Sequence, residues 1–146
     1  MSCFETVGYG YSSILCEDIA SWFINKFVPR HKFYVRIVHK GLKREHSYGF
    51  CDFVDQAYRP RVFVIEVQAN LSKEMYAKTL LHEFVHLKQW LQGTLKMKSG
   101  KLYFDGESVE KYEYMDQPHE IEAYDSEDKL YLDFMYDTYG VWLGDE

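Results

Sequence analysis

The residues best placed by type and spacing to do chemistry are His82-Glu83-Phe84-Val85-His86. On a helix, side chains four apart lie one above the other on a single face, so imidazoles at 82 and 86 can reach one ion. Zinc suits that pair, since it takes neutral imidazole nitrogen at about 2.0–2.1 Å in a tetrahedral site. Glu83 can reach a water on that ion without binding the ion, and can take the water's proton as it attacks a carbonyl. With this chain's own residue frequencies such a pentad arises in roughly 2 of 100 shuffles, so position must add to pattern. It does: Leu80, Leu81, Phe84, Val85 and Leu87 surround the three polar residues. Two histidines and a glutamate buried without a metal would be hard to satisfy.

Catalytic zinc usually takes three protein ligands and leaves a fourth position for water. Gln89 and Gln92 stand where a metzincin-type extension would need Gly and His, which removes that branch. The third ligand must come from further on. Pro118-His119-Glu120-Ile121-Glu122-Ala123-Tyr124-Asp125 offers His119, Glu120 and Glu122.

The elements that must position these groups read as follows. Apolar residues at helical spacing predict a helix over 13–28, with Pro29 as its stop. Residues 33–38 and 61–67 are rich in β-branched and aromatic types and predict strands; 47–54 is a weaker one. Ser72 is a candidate N-cap for a helix over 73–91 that ends near Gly93. Leu95-Lys96-Met97 and 101–104 predict a hairpin turning at Ser99-Gly100, within a stretch otherwise irregular to Met115. Pro118 then opens a last helix, to about 136. Helix, about three strands, helix, hairpin or loop, helix is a compact α+β arrangement, expected to form one domain over 1–146.

Two short blocks, 82–92 and 118–124, carry a resemblance to known peptidases. Glu120-Ile121-Glu122-Ala123-Tyr124 resembles the later glutamate helix of gluzincins, often Glu-x-x-Ala-Asp; it matches Glu and Ala and has Tyr where Asp often stands. Together the blocks look like small phage-encoded metallopeptidases and, more distantly, the ImmA/IrrE and SprT-like groups. The resemblance implies a zincin-like domain that hydrolyses peptide bonds, with one Zn²⁺ on His82, His86 and Glu120 and Glu83 as general base. Glu122 is the rival third ligand. His119 is another, because SprT-like proteins use a later histidine. Asp125 is the candidate partner for the first histidine. By the same likeness the strand before the metal helix, at Val64, Ile65 and Glu66, would pair with an extended substrate. An oxyanion donor would come from Tyr112, Tyr114 or Tyr124, with Tyr124 favoured.

Composition bounds the alternatives. Hydrophobic residues make up 47% and aromatics 18%, which belongs to an ordered globular chain. No signal peptide and no stretch able to span a bilayer is visible, so a cytoplasmic protein is expected: host cytoplasm, or a virion, if phage-encoded. Cys3, Cys16 and Cys51 are sparse and odd in number, and read as reduced packing residues. His31, His39 and His46 lack ligand spacing and read as surface or strand residues. The net charge is −6, with Lys/Arg in excess by 3 over 1–50 and by 2 over 51–100, and Asp/Glu in excess by 11 over 101–146. The basic residues between Lys26 and Arg44 would scatter over several faces, so no nucleic-acid partner is expected, which disfavours a DNA-linked protease. The remaining alternative keeps the zinc and loses the catalysis, as a structural or regulatory protein on a peptidase scaffold. Glu83 argues against it, since a structural site has no use for a base.

Overall fold

The computed structural model describes residues 3–40 and 48–140, and the fold is α+β. In order, strand β1 (Phe4–Gly8), helix α1 (Ser13–Phe27), strands β2 (Tyr34–Lys40), β3 (Gly49–Phe53) and β4 (Val62–Gln68) lead to helix α2 (Lys73–Gln92). Strands β5 (Leu95–Lys98), β6 (Lys101–Phe104) and β7 (Glu107–Ser108) follow, then a 3-10 turn at Tyr114–Asp116 and helix α3 (Pro118–Tyr139).

The main sheet has the order β1-β2-β4-β3, with β1, β2 and β4 parallel and β3 antiparallel to β4. Four strands replace the three expected. Strand β1 was missed because Phe4-Glu5-Thr6-Val7 is too short to show a period. It forms because its backbone pairs in parallel with β2, Phe4 opposite Val35. The second correction concerns β4. It lies between β2 and β3, so both its backbone edges are already paired. Ile65 is in the core and Glu66 is buried. Val64, Ile65 and Glu66 therefore offer no strand edge to a substrate; among the described residues β3 is the outermost strand on that side.

Alternation on β2 and β4 turns Val35, Ile37, Phe63, Ile65 and Val67 into one core with Ile19 and Phe23 of α1 and Leu80, Leu81, Phe84 and Leu87 of α2. Each fully buried phenylalanine or leucine there contributes about 1.5–3 kcal/mol over leaving it exposed. Ser12 Oγ accepts from the Leu15 amide at 3.1 Å to start α1, and Ser72 Oγ accepts from the Met75 amide at 3.2 Å to start α2. Helix α2 ends at Gly93, whose φ of 80° needs a glycine.

The hairpin is where the sequence placed it. Ser99 and Gly100 both have positive φ (52° and 77°), the signature of a type I′ turn. A second such turn, Asp105-Gly106 (51° and 84°), adds β7 in the stretch expected to be irregular. Asp-Gly is a strong signal for this turn and was legible.

Of the two readings open for His39, surface or strand, the structure gives the strand: it lies in β2. It is 2% exposed, stacked on Tyr11 with centroids 3.4 Å apart. Its Nδ1–H donates to the Val7 carbonyl at 3.0 Å, so Nε2 accepts from the Tyr76 hydroxyl at 2.6 Å. His46 lies outside the described residues. In the basic stretch, Lys26 pairs with Asp137, Arg36 with Glu5 and Lys40 with Glu66. Cys3, Cys16 and Cys51 are free thiols. Among the described residues no helix is long and apolar enough to cross a membrane.

Candidate metal centre

Helix α2 crosses the core between the sheet and α3, which buries its middle: His82, Glu83 and His86 are each 5–6% exposed. The helical repeat stacks the two imidazoles with centroids 4.9 Å apart. Glu120 reaches them from the first turn of α3, where Pro118 occupies the opening position and a carboxylate is favoured by the helix dipole. Glu120 Oε1 lies 3.1 Å from His82 Nε2 and 3.0 Å from His86 Nε2.

The other ring nitrogens decide what these contacts mean. His82 Nδ1 faces Glu127 Oε1 at 2.7 Å, and a carboxylate only accepts, so Nδ1 carries the proton. His86 Nδ1 faces Gln89 Oε1 at 2.8 Å. The Gln89 amide is fixed in that orientation, because its nitrogen donates to the His119 carbonyl at 3.1 Å and to Glu122 Oε1 at 3.0 Å. With each ring neutral, both Nε2 lone pairs then point at a carboxylate oxygen. Three acceptors converging at 3 Å repel one another unless a cation, a metal ion or protons on the Nε2 atoms, lies between them. Ligands on one tetrahedral zinc are about 3.4 Å apart, and one donor atom from each of His82, His86 and Glu120 lies within 4.8 Å of the others. Two imidazoles and a carboxylate, each imidazole braced at its far nitrogen, fit such an ion.

With protons alone the same attraction shows in the titration. Burial pulls the His82 imidazole down, but its hydrogen bonds to Glu120 and Glu127 outweigh this and lift it to about 9. His86 rises in the same way, burial being outweighed by Glu120. Burial would raise the Glu120 carboxyl, and the two imidazoles instead hold it well below the usual carboxylate range.

Glu83 lies beside this triad. It has no hydrogen-bond partner among the described residues, and burial pushes its carboxyl up to about 7 against the pull of His86 and His82. It opens on a cavity of about 200 Å³ lined also by Gly49, Thr79, His82, Tyr114 and Tyr124. Strand β3 comes close to α2 here: a Cβ on Gly49 would stand 2.8 Å from the Glu66 carbonyl and 3.3 Å from Glu83 Cγ.

The rivals fall elsewhere. Glu122 is exposed and is bound to Gln89. His119 is buried, but its Nε2 is 3.8 Å from Glu120 Oε2 and its Nδ1 has no partner among the described residues. Burial, helped by the nearby His86, lowers its imidazole to about 4. Tyr114 lines the cavity, its phenol raised by burial and by the nearby Glu120 charge, and the Tyr124 ring packs 4.5 Å from that of His82. Tyr112 does not line the cavity. Asp125, expected behind the first histidine, is exposed and lines a different groove, with Lys26 and Lys129; Glu127 takes the role. Asp125 is five residues past Glu120 and so well around the helix, whereas Glu127, at seven, returns to its face. That spacing was available in the sequence, as was Gln89, three residues past His86.

No family model matches this chain, and no curated protein or solved structure gives a significant match to it.

Proposed function

We propose that this protein is a zinc-dependent peptidase in which Glu83 is the general base. The observation that carries the reading is the convergence of two proton-braced imidazoles and Glu120 beside a buried carboxylate that has no partner of its own. A buried, unpaired carboxylate is costly, and a structural metal site gains nothing from it.

His82, His86 and Glu120 would hold the zinc, while Glu127 and Gln89 keep the imidazole protons on Nδ1. Zinc in such a site supplies Lewis-acid polarisation of a carbonyl and acidifies a water. Glu83, held near neutrality by burial, takes a proton from the attacking water and returns it to the leaving amine. The Tyr114 hydroxyl, at the ligand carboxylate, and Tyr124, against His82, are the donors available to a developing oxyanion.

The small cavity favours one alternative, a zinc-holding protein without catalysis. Cleavage of an unfolded protein by wild type and by Glu83→Gln, each at one zinc per chain, separates the two. The peptidase reading predicts chelator-sensitive cleavage by wild type that falls by about 10²–10⁴-fold in Glu83→Gln. Zinc-loaded wild type that cleaves nothing would leave the structural role standing.

A further inference from the structure

His119 is a buried histidine that neither the metal triad nor the proposed reaction uses. It is 5% exposed, and its Nδ1 has no hydrogen-bond partner among the described residues. It stands beside Glu120 in the first turn of α3, with the His86 ring at a centroid distance of 5.5 Å and that of Phe104, on β6, at 6.2 Å. Its carbonyl accepts from the Gln89 amide at 3.1 Å, the same amide that braces His86. Backbone and ring are thus held by α2 and by the hairpin. A buried nitrogen without a partner destabilises the fold, so the position calls for a reason. The other nitrogen supplies one. Nε2 lies 3.8 Å from Glu120 Oε2, the carboxylate oxygen that does not face His82 and His86. Burial disfavours the charged ring, so one proton has two nitrogens to choose from. On Nδ1 it would meet no acceptor, whereas on Nε2 it has a carboxylate oxygen near it. That separation exceeds an ordinary hydrogen bond by about 0.8 Å. The last torsion of a glutamate is broad, so a small turn of the carboxylate closes the gap with α3 in place.

We propose that His119 is a positioning residue of the metal centre: its Nε2–H donates to Glu120 Oε2 and so holds the carboxylate to the ion through Oε1 alone. The inference rests on the reading of His82, His86 and Glu120 as metal ligands. A carboxylate bound by one oxygen takes one coordination position, and beside two imidazoles it leaves the fourth for water, as catalytic zinc requires. Without the His119 donor the same carboxylate is able to turn and bind through both oxygens, which fills that position. His119 is not itself a ligand, since the donor atoms that lie within 4.8 Å of one another belong to His82, His86 and Glu120. Hydrogen bonds to a ligating carboxylate tune a site in the same way as the braces on its imidazoles.

The test uses the full-length protein. His119→Phe and His119→Leu remove the donor at two side-chain volumes, and His119→Gln keeps an N–H at the reach of Nε2. Zinc affinity is read by competition with a chromophoric chelator. Coordination is read from the visible bands of bound Co²⁺, which weaken as the ion passes from four ligands to five. The expected result is a loss of zinc affinity of about 10–100-fold in both apolar variants, with weakened cobalt bands, and both readouts near wild type in His119→Gln. The thermal midpoint of the metal-free protein should not fall in His119→Phe, because an unpartnered nitrogen has left the interior. Unchanged affinity and unchanged bands in both apolar variants would overturn the proposal. So would His119→Gln failing as they do, which would make the ring a packing group, or His119→Phe losing all bound metal, as for a ligand. A wild type that binds neither zinc nor cobalt overturns the metal reading and this proposal together. Neither readout depends on cleavage, so a metal-loaded wild type that cleaves no peptide counts against the peptidase reading alone.

Discussion

At the scale of single residues the site depends on where two protons sit. Glu127 and Gln89 keep Nδ1–H on the two histidines, which frees both Nε2 atoms for a metal. Replacing Glu127 by Ala removes one brace and leaves the ligands in place. It should lower zinc affinity by about 10–100-fold, read by competition with a chromophoric chelator, with little change in fold. Glu122→Ala should lower affinity less, because it acts only through the Gln89 amide. His39 gives a prediction away from the metal. Burial holds its imidazole below the ordinary 6.5, so the folded protein favours the neutral ring. The unfolded chain takes up a proton as pH falls through about 6.5, so the stability from His39 is complete above that pH and is lost below it, down to the folded value. Denaturation midpoints between pH 7.5 and 5.5 should therefore fall less steeply in His39→Gln than in wild type. An equal slope would count against this role.

The secondary-structure elements were legible wherever local signals act alone. Ser72 and Gly93 bracket α2, and Ser99-Gly100 turns the hairpin, all through capping or turn chemistry written in neighbouring residues. What tertiary pairing decides was not legible. Strand β1 exists because β2 is there to receive it, and β4 lies inside the sheet because β3 folds back onto it. No local pattern distinguishes an edge strand from an inner one when both are apolar. Two glycines test this scale. Gly100 has a φ of 77° with nothing near its missing side chain, so Gly100→Ala should cost about 1–2 kcal/mol from backbone strain alone. Gly49→Ala meets the Glu66 carbonyl and Thr79 instead. It should push β3 off α2, destabilise the fold by about 1–3 kcal/mol and depress cleavage more than zinc content. Equal losses of cleavage and of metal would contradict a role for the close approach of Gly49 to Glu83.

For the whole molecule, the candidate ligands come from two helices whose contact closes the core, so binding of metal should be coupled to stability. Zinc that binds the folded chain at about 100 times its Kd adds about 2.7 kcal/mol, and a chelator should lower the thermal midpoint reversibly by several degrees. The site itself was readable from spacing at its centre, His82, Glu83 and His86. The likeness to gluzincins supplied Glu120, whose place the packing of α3 on α2 then bears out geometrically. Charge was readable only as a total. The excess of Asp/Glu after residue 100 is plain in the sequence, but that Arg59 and Arg61 meet Lys96 and Lys98 across one groove follows from the fold alone.

The central claim is that His82, His86 and Glu120 hold a zinc ion, and the most direct measurement is the metal content of purified wild type, Glu120→Ala and Glu122→Ala by elemental analysis. The account predicts one zinc per chain in wild type and in Glu122→Ala, and a loss of zinc in Glu120→Ala. Wild type that takes up no zinc on incubation with it, or Glu120→Ala that keeps its full complement, would contradict it.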